Sequence, residues 1–242
     1  MNTFNPLNVI PHGFTHRRRR GAELNLARLK AHGIGFAHGD VRVRADLDDL
    51  PGTWDVMVEA SAEPSVQAGL GGAPDYVLHT NLVGTLHCLE LARRRVDRLL
   101  FLSTSRVYSI APLRALRLEE APTRLELAAG QTLPGASARG VAEEFPPHLP
   151  RSLYGASKLA SEMLVQEYAA AYGLKAVSDR CGVIAGPGQF GKVDQGVVSL
   201  WVAHHHFGRS LSYVGWGGTG RQVRDLLHPD DLFALLLRQL DA

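Results

Sequence analysis

The chain has 242 residues, of which 45% are hydrophobic and 21% charged, with a formal net charge of +2. That balance fits a globular chain able to bury a core of its own, and it gives no bulk electrostatic reason to expect a nucleic-acid partner. No apolar run approaches the roughly 18 residues of a membrane-spanning helix, and the start "MNTFNPLNVIPHGFTHRRRRG" lacks the charged-then-apolar order of a signal peptide.

In chain order, "IGFAHGDV" (34–41) and "WDVMVEA" (54–60) read as strands, and "PDYVLHTNLVGTLHCLELARRR" (74–95) as a long helix. "RLLFLSTS" (98–105) reads as a buried strand. The stretch from Thr104 to Tyr154, rich in Ala, Pro, Gly and Glu, is too long for a plain connection and is expected to be a functional excursion. "SLYGASKLASEMLVQEYAAAYG" (152–173) predicts a second long helix, "LKAVSDRCGVI" (174–184) a further strand. Beyond Gly186 the pattern loosens into a helix near 195–207, a short strand "SLSYV" (210–214) and a final helix from about Asp230. Strands alternating with helices make the fold α/β, a doubly wound parallel sheet of the Rossmann type. The two cysteines, Cys88 and Cys181, fall in a helix and a strand and are expected to be reduced thiols of a cytoplasmic protein.

The most informative spacing is Tyr154-x-x-x-Lys158. Residues i and i+4 share a helix face, so the ammonium can favour ionisation of the phenol, which at an ordinary pKa of about 10 needs such help to act as a base. The spacing alone is common on helical surfaces. It gains weight from "FLSTSRVY", whose hydroxyls at Ser103 and Thr104 lie at the carboxyl end of a strand, where open α/β sheets bind ligands.

With these residues the chain resembles the extended short-chain dehydrogenase/reductases, the NAD-dependent sugar epimerases and dehydratases. "HGDVR" (38–42), "NLVGT" (81–85), "STSRVY" (103–108), "YGASK" (154–158), "RCGVIAGPGQ" (180–189) and "RQVRDLLHPDDL" (221–232) occur in the family's order. The resemblance implies that Asp40 and Val41 bind the adenine end of NAD, that Ser61 and Ala62 pass beside the dinucleotide, and that Asn81 braces the strand ends. It further implies that Thr104 hydrogen-bonds the reacting sugar oxygen, that Tyr154 is the acid/base, and that Lys158 holds the nicotinamide ribose while lowering the pKa of Tyr154. Gln189 would face the substrate and Arg224 the diphosphate of a nucleotide sugar. The cofactor-binding unit would run over 1–185 and a nucleotide-sugar lobe would begin at 186–242. A homo-oligomer is implied, and the cofactor is expected to be NAD, with NADP not excluded. Dehydratases of the family carry Asp-Glu directly after the Ser/Thr; here Ser105 and Arg106 stand there, and an arginine cannot give up a proton, which favours epimerisation.

A dinucleotide-binding sheet of this kind begins with a strand, a Gly-rich turn and a ribose-binding acid. Met1 to Arg18 contains nothing comparable, and Thr15 stands about where the acid belongs. The chain is therefore expected to be a fragment shortened at both ends that binds NAD weakly or not at all, and a non-catalytic remnant of the same fold is the alternative. "GVIAGPGQFGKV" (182–193) spells both G-x-G-x-x-G and G-x-x-x-x-G-K, but Val193 offers no hydroxyl for magnesium and no ribose-binding acid follows, so it reads as a turn between lobes. Gly215, Gly217 and Gly220 read as a turn presenting Arg224. His204, His205 and His206 diverge by about 100° each on a helix and do not chelate one ion, while the run Arg17 to Arg20 lacks the interleaved aromatics of a nucleic-acid arm.

Overall fold

The computed structural model describes residues 20–189, 196–213 and 218–241, with side chains from residue 26 onward. Thr15, most of the arginine run, residues 190–195 of the Gly-rich stretch, and Gly215 and Gly217 lie outside the described residues. The elements are α1 (Arg20–Ala31), α2 (Arg44–Asp48), β1 (Trp54–Glu59), α3 (Asp75–Leu78), a π turn (His79–Val83), α4 (Gly84–Arg95), β2 (Val96–Thr104) and a 3-10 turn (Ser105–Val107). There follow α5 (Ile110–Arg114), the hairpin pairs β3 (Leu118–Glu120) with β4 (Leu125–Leu127) and β5 (Ala136–Ser137) with β6 (Gly140–Val141), and the long α6 (Leu153–Tyr172). β7 (Lys175–Cys181), β8 (Val183–Ile184), α7 (Val197–His206), β9 (Leu226–Leu227) and α8 (Pro229–Asp241) complete the order.

β2 is the middle strand of a parallel sheet in the order β1-β2-β7, in register Val58 with Leu100 and Leu100 with Val177. Successive side chains of a strand point to opposite faces. Leu99 and Phe101 accordingly join Leu89, Ala92, Val165 and Leu174 beneath α4 and α6, while Leu100 joins Cys181, Leu232 and Leu236 beneath α8. Helices cover both faces, which is why this strand reads as an unbroken apolar run. Directly after β7, β8 pairs with β9 in a separate two-stranded parallel sheet, where Val183 N–H donates to the Asp225 carbonyl and Ala185 N–H to that of Leu227. Two glycines permit that approach: a Cβ at Gly182 would collide with the Asp225 carboxylate, and one at Gly186 with the Pro229 ring. Gly186 of the double Gly motif thus serves close packing against the start of α8.

Three sequence expectations change. The segment 34–41 forms no strand; only isolated bridges occur at Phe36 and Gly39, since a ladder needs a neighbour and this segment finds none among the described residues. Residues 210–213 are likewise irregular, and no described strand lies beside them. The helix of 74–95 is interrupted by the π turn, held by Thr85 Oγ1 and Ser161 Oγ, which both donate to the Asn81 carbonyl at 2.7 and 3.0 Å. The excursion between Thr104 and Tyr154 carries α5 and two small hairpins, anchored by Phe145 packed edge-on to Tyr108.

α6 starts where Ser152 Oγ accepts from Gly155 N–H and ends at Gly173, whose φ of 69° is the left-handed conformation glycine adopts freely. It is clamped to α4 through Glu90, which accepts from Arg93 Nε at 2.7 Å and from the Tyr168 hydroxyl at 2.7 Å. Arg93 first, then Tyr168, hold the Glu90 carboxyl at about 2, and burial together with Glu90 pushes Tyr168 up to about 12. A carboxyl depressed on folding contributes stability above its ordinary value that is lost as pH falls toward the folded value. Chemical denaturation between pH 5 and pH 2 is therefore expected to show a steeper loss of stability in the native chain than in Glu90→Gln, in which this component is flat.

Candidate active site

β2 ends at Thr104, and the chain turns sharply through the 3-10 turn, with Thr104 Oγ1 accepting from Arg106 N–H at 3.2 Å. The first turn of α6 docks directly on this corner. A side chain at Gly155 would collide with the Arg106 carbonyl oxygen, so only glycine lets the helix approach this closely. That contact sets the neighbouring Tyr154 against the strand end. Burial pushes the Tyr154 phenol above its ordinary value, while the Thr104 hydroxyl and the Arg106 guanidinium act in the opposite direction and Cys181 adds a small upward push.

Lys158 lies one turn further along α6. Its Nζ lies 3.9 Å from Glu59 Oε2 and 3.9 Å from the centre of the Phe101 ring. Burial pushes the ammonium down from the ordinary lysine value, opposed chiefly by Glu59 and then Glu162. The cation that bears on the Tyr154 phenol here is Arg106, and burial outweighs it, while the nearest carboxylate to Lys158 is that of Glu59 at the end of β1.

A second buried acid lies alongside. Glu162 accepts from Ser103 Oγ and from Arg180 Nη2 at 2.8 Å, and Arg180, raised by that bond, also donates to the Glu143 carbonyl at 2.8 Å. Neither Glu59 nor Glu162 was among the residues singled out from the sequence. Glu162 follows Lys158 by four residues and so shares its helix face, and Glu59 closes an apolar strand, where an acid is out of place.

The remaining candidates sit around this centre. Ser61 donates to Glu59 Oε1 through both its N–H and its hydroxyl, and Ala62 follows it on a half-buried loop. Asn81, fully buried on the π turn, accepts from Glu63 N–H at 2.7 Å and donates to Ser157 Oγ at 3.1 Å, tying the loop after β1 to α6. Val41 is buried against Gly84, and its carbonyl meets His87 Nδ1 at 2.8 Å. Asp40 pairs with Arg42 at 2.5 Å. Gln189 spans from the Ile184 carbonyl to Ser199 Oγ, at 3.0 and 2.9 Å, joining β8 to α7. Arg224 lines a cleft of about 460 Å³ with Arg124, Arg221 and Glu120, and Arg221 is paired to Glu120 at 2.9 Å. Partial desolvation and then Arg106 push Arg224 below its ordinary value, so a cationic stretch connects the cleft to the Tyr154 corner. Among the described residues no cluster of His, Cys, Asp or Glu could hold a metal ion, and no helix is long and apolar enough to cross a membrane.

Residues 7–242 match the model of the NAD dependent epimerase/dehydratase family. The dTDP-glucose 4,6-dehydratase of Mycolicibacterium smegmatis is 30% identical over 198 residues, 82% of this chain and 51% of that protein. The CDP-paratose 2-epimerase of Salmonella typhi is 28% identical over 236 residues, 94% of this chain and 66% of that protein. Among solved structures, the dTDP-glucose 4,6-dehydratase DesIV of Streptomyces venezuelae with NAD and TYD bound superposes with a TM-score of 0.68 at 27% identity, covering 95% of this chain and 62% of that one. The chain spans between about half and two thirds of the length of these relatives. A match that runs nearly end to end, on an α/β sheet whose central strand ends at Thr104 beside Tyr154, places this chain in the NAD-dependent epimerase/dehydratase family.

Proposed function

We propose that this chain carries the core of a nucleotide-sugar epimerase, with residues 1–185 serving the cofactor and 186–242 beginning the sugar-nucleotide lobe. The observation that carries this reading is the corner where Gly155 seats Tyr154 against Thr104 with Arg106, rather than a carboxyl group, beside them. NAD, when bound, takes a hydride from a sugar carbon and returns it. The side chains fit its nicotinamide end: a buried ammonium at Lys158 and hydroxyls at Thr104 and Tyr154 gather at the carboxyl ends of parallel strands.

Within that frame Tyr154 accepts the proton of the sugar hydroxyl and gives it back, and Thr104 holds the same oxygen by a hydrogen bond. Arg106 makes the phenolate less costly. Removing water from the sugar would require a further proton donor and acceptor near Thr104. Ser105 and Arg106 cannot fill that role, and the buried acids lie below the corner beside Lys158 and Arg180. The cleft lined by Arg124, Arg221 and Arg224 suits the diphosphate of a nucleotide sugar, since guanidinium forks match phosphate oxygens.

Two measurements test this reading. Calorimetric titration with NAD⁺ is expected to show weak, saturable binding, since the nicotinamide-end side chains are present while no strand and Gly-rich turn precede Asp40 in the sequence, and any equilibration of CDP- or UDP-sugar epimers is expected to be abolished by Tyr154→Phe; a chain without either property is a non-catalytic scaffold of the same fold. Ultraviolet difference titration of the native chain against Tyr154→Phe is expected to place phenolate formation above the ordinary tyrosine range. Because Arg106 favours the phenolate, Arg106→Gln is expected to move that ionisation, and the alkaline-rising limb of the rate, to still higher pH.

A further inference from the structure

Glu59 has a position in the site that the family reading does not assign. It closes β1, it is 3% exposed, and the lysine it faces is 1% exposed. One oxygen is fully engaged: Oε1 accepts from the N–H and the hydroxyl of Ser61. The other, Oε2, is buried and receives no hydrogen bond, and its nearest cation is the Lys158 ammonium at 3.9 Å, a separation of charge attraction rather than hydrogen bonding. A buried carboxylate oxygen with no donor costs free energy unless something supplies one. Lys158 is in the same condition: Phe101 offers its ring face, but among the described residues no acceptor bonds to Nζ. An acceptor and a donor thus face one another at the strand ends, each with hydrogen-bonding capacity in reserve and too far apart to satisfy each other.

We propose that Glu59 is a further residue of the cofactor site, anchoring Lys158 by charge and offering Oε2 to one hydroxyl of a vicinal ribose diol while Lys158 donates to the other. The chemistry matches a cis-diol, which presents hydroxyls able both to donate to a carboxylate and to accept from an ammonium. The anchoring half concerns this chain alone; the diol half rests on the reading that the chain takes NAD. The charged and titratable groups that face Lys158 are Glu59 from β1, Glu162 from its own helix, Cys88 from α4 and Cys181 from β7. Of these, Glu162 is already committed to Arg180 and Ser103, and both thiols are buried and pushed up, which leaves Glu59 as the carboxylate partner of the ammonium.

The test follows the ionisation of Lys158 by NMR of the chain carrying ¹³C-labelled lysine, assigned with Lys158→Met, in the native chain and in Glu59→Gln. It is paired with NAD⁺ titration of the same proteins and thermal unfolding to verify their fold. In Glu59→Gln the Lys158 titration is expected to fall by about one pH unit or more, and NAD⁺ affinity by about ten-fold or more, the size of one lost charge-assisted hydrogen bond. Glu59→Asp, which keeps the charge but withdraws it, should move both in the same direction by less, and it serves where the amide variant does not fold. An unmoved Lys158 titration overturns the anchoring, and an NAD⁺ affinity within two-fold of native overturns the diol contact. A native chain that binds no NAD⁺ overturns the diol contact together with the proposed function, while the lysine titration still decides the hold of Glu59 on Lys158.

Discussion

Everything at the centre of this molecule rests on burying charge beneath the end of one strand. Below Thr104 lie two acid–cation pairs, Glu59 with Lys158 and Glu162 with Arg180, in a region walled by Phe101 and the packed faces of α4 and α6. Charges there cannot be left alone, because the interior offers little of the solvation that water gives. The Ser61 hydroxyl donates to Glu59 and the Ser103 hydroxyl to Glu162, so the loop after β1, the end of β2 and the middle of α6 are tied into one unit. Holding α6 in this way is what makes the upper layer, where Tyr154 leans on Thr104, a fixed arrangement.

The two layers divide electrostatic work. In the lower one, attraction between opposite charges sets Lys158 near Glu59 and Arg180 on Glu162. In the upper one, Arg106 is the cation whose field reaches Tyr154, and it also reaches Arg224 at the cleft. A single guanidinium therefore bears on both the Tyr154 hydroxyl and Arg224 at the cleft.

How much of this could be read from the chain depends on whether a feature is local. β2 and α6 were legible because a buried strand and an amphipathic helix carry their own periods, and the meeting of Thr104 with Tyr154 followed from the rule that strand ends gather the ligand site. The segment 34–41 was not, since strand-like residues make a strand only beside a partner. Family resemblance supplied the pairing of Tyr154 with Lys158, yet the spacing of i and i+4 fixes only the origin of a side chain. A lysine has four rotatable bonds beyond that origin, and the carboxylate nearest its ammonium, that of Glu59, lies about a hundred residues upstream. Both buried acids were passed over because carboxylates are ordinarily solvated. Their cue was misplacement: one closes an apolar strand, the other shares a helix face with a residue already under suspicion.

The π turn at His79–Val83 carries a constraint of a different kind. Its wider winding fits more chain into the helix than a regular α-helix would hold over the same path, and so decides how Asn81 and the residues after it are rotated about the axis. That winding is what lets Asn81 reach Glu63 and Ser157 while α4, directly after it, keeps its apolar face toward the core.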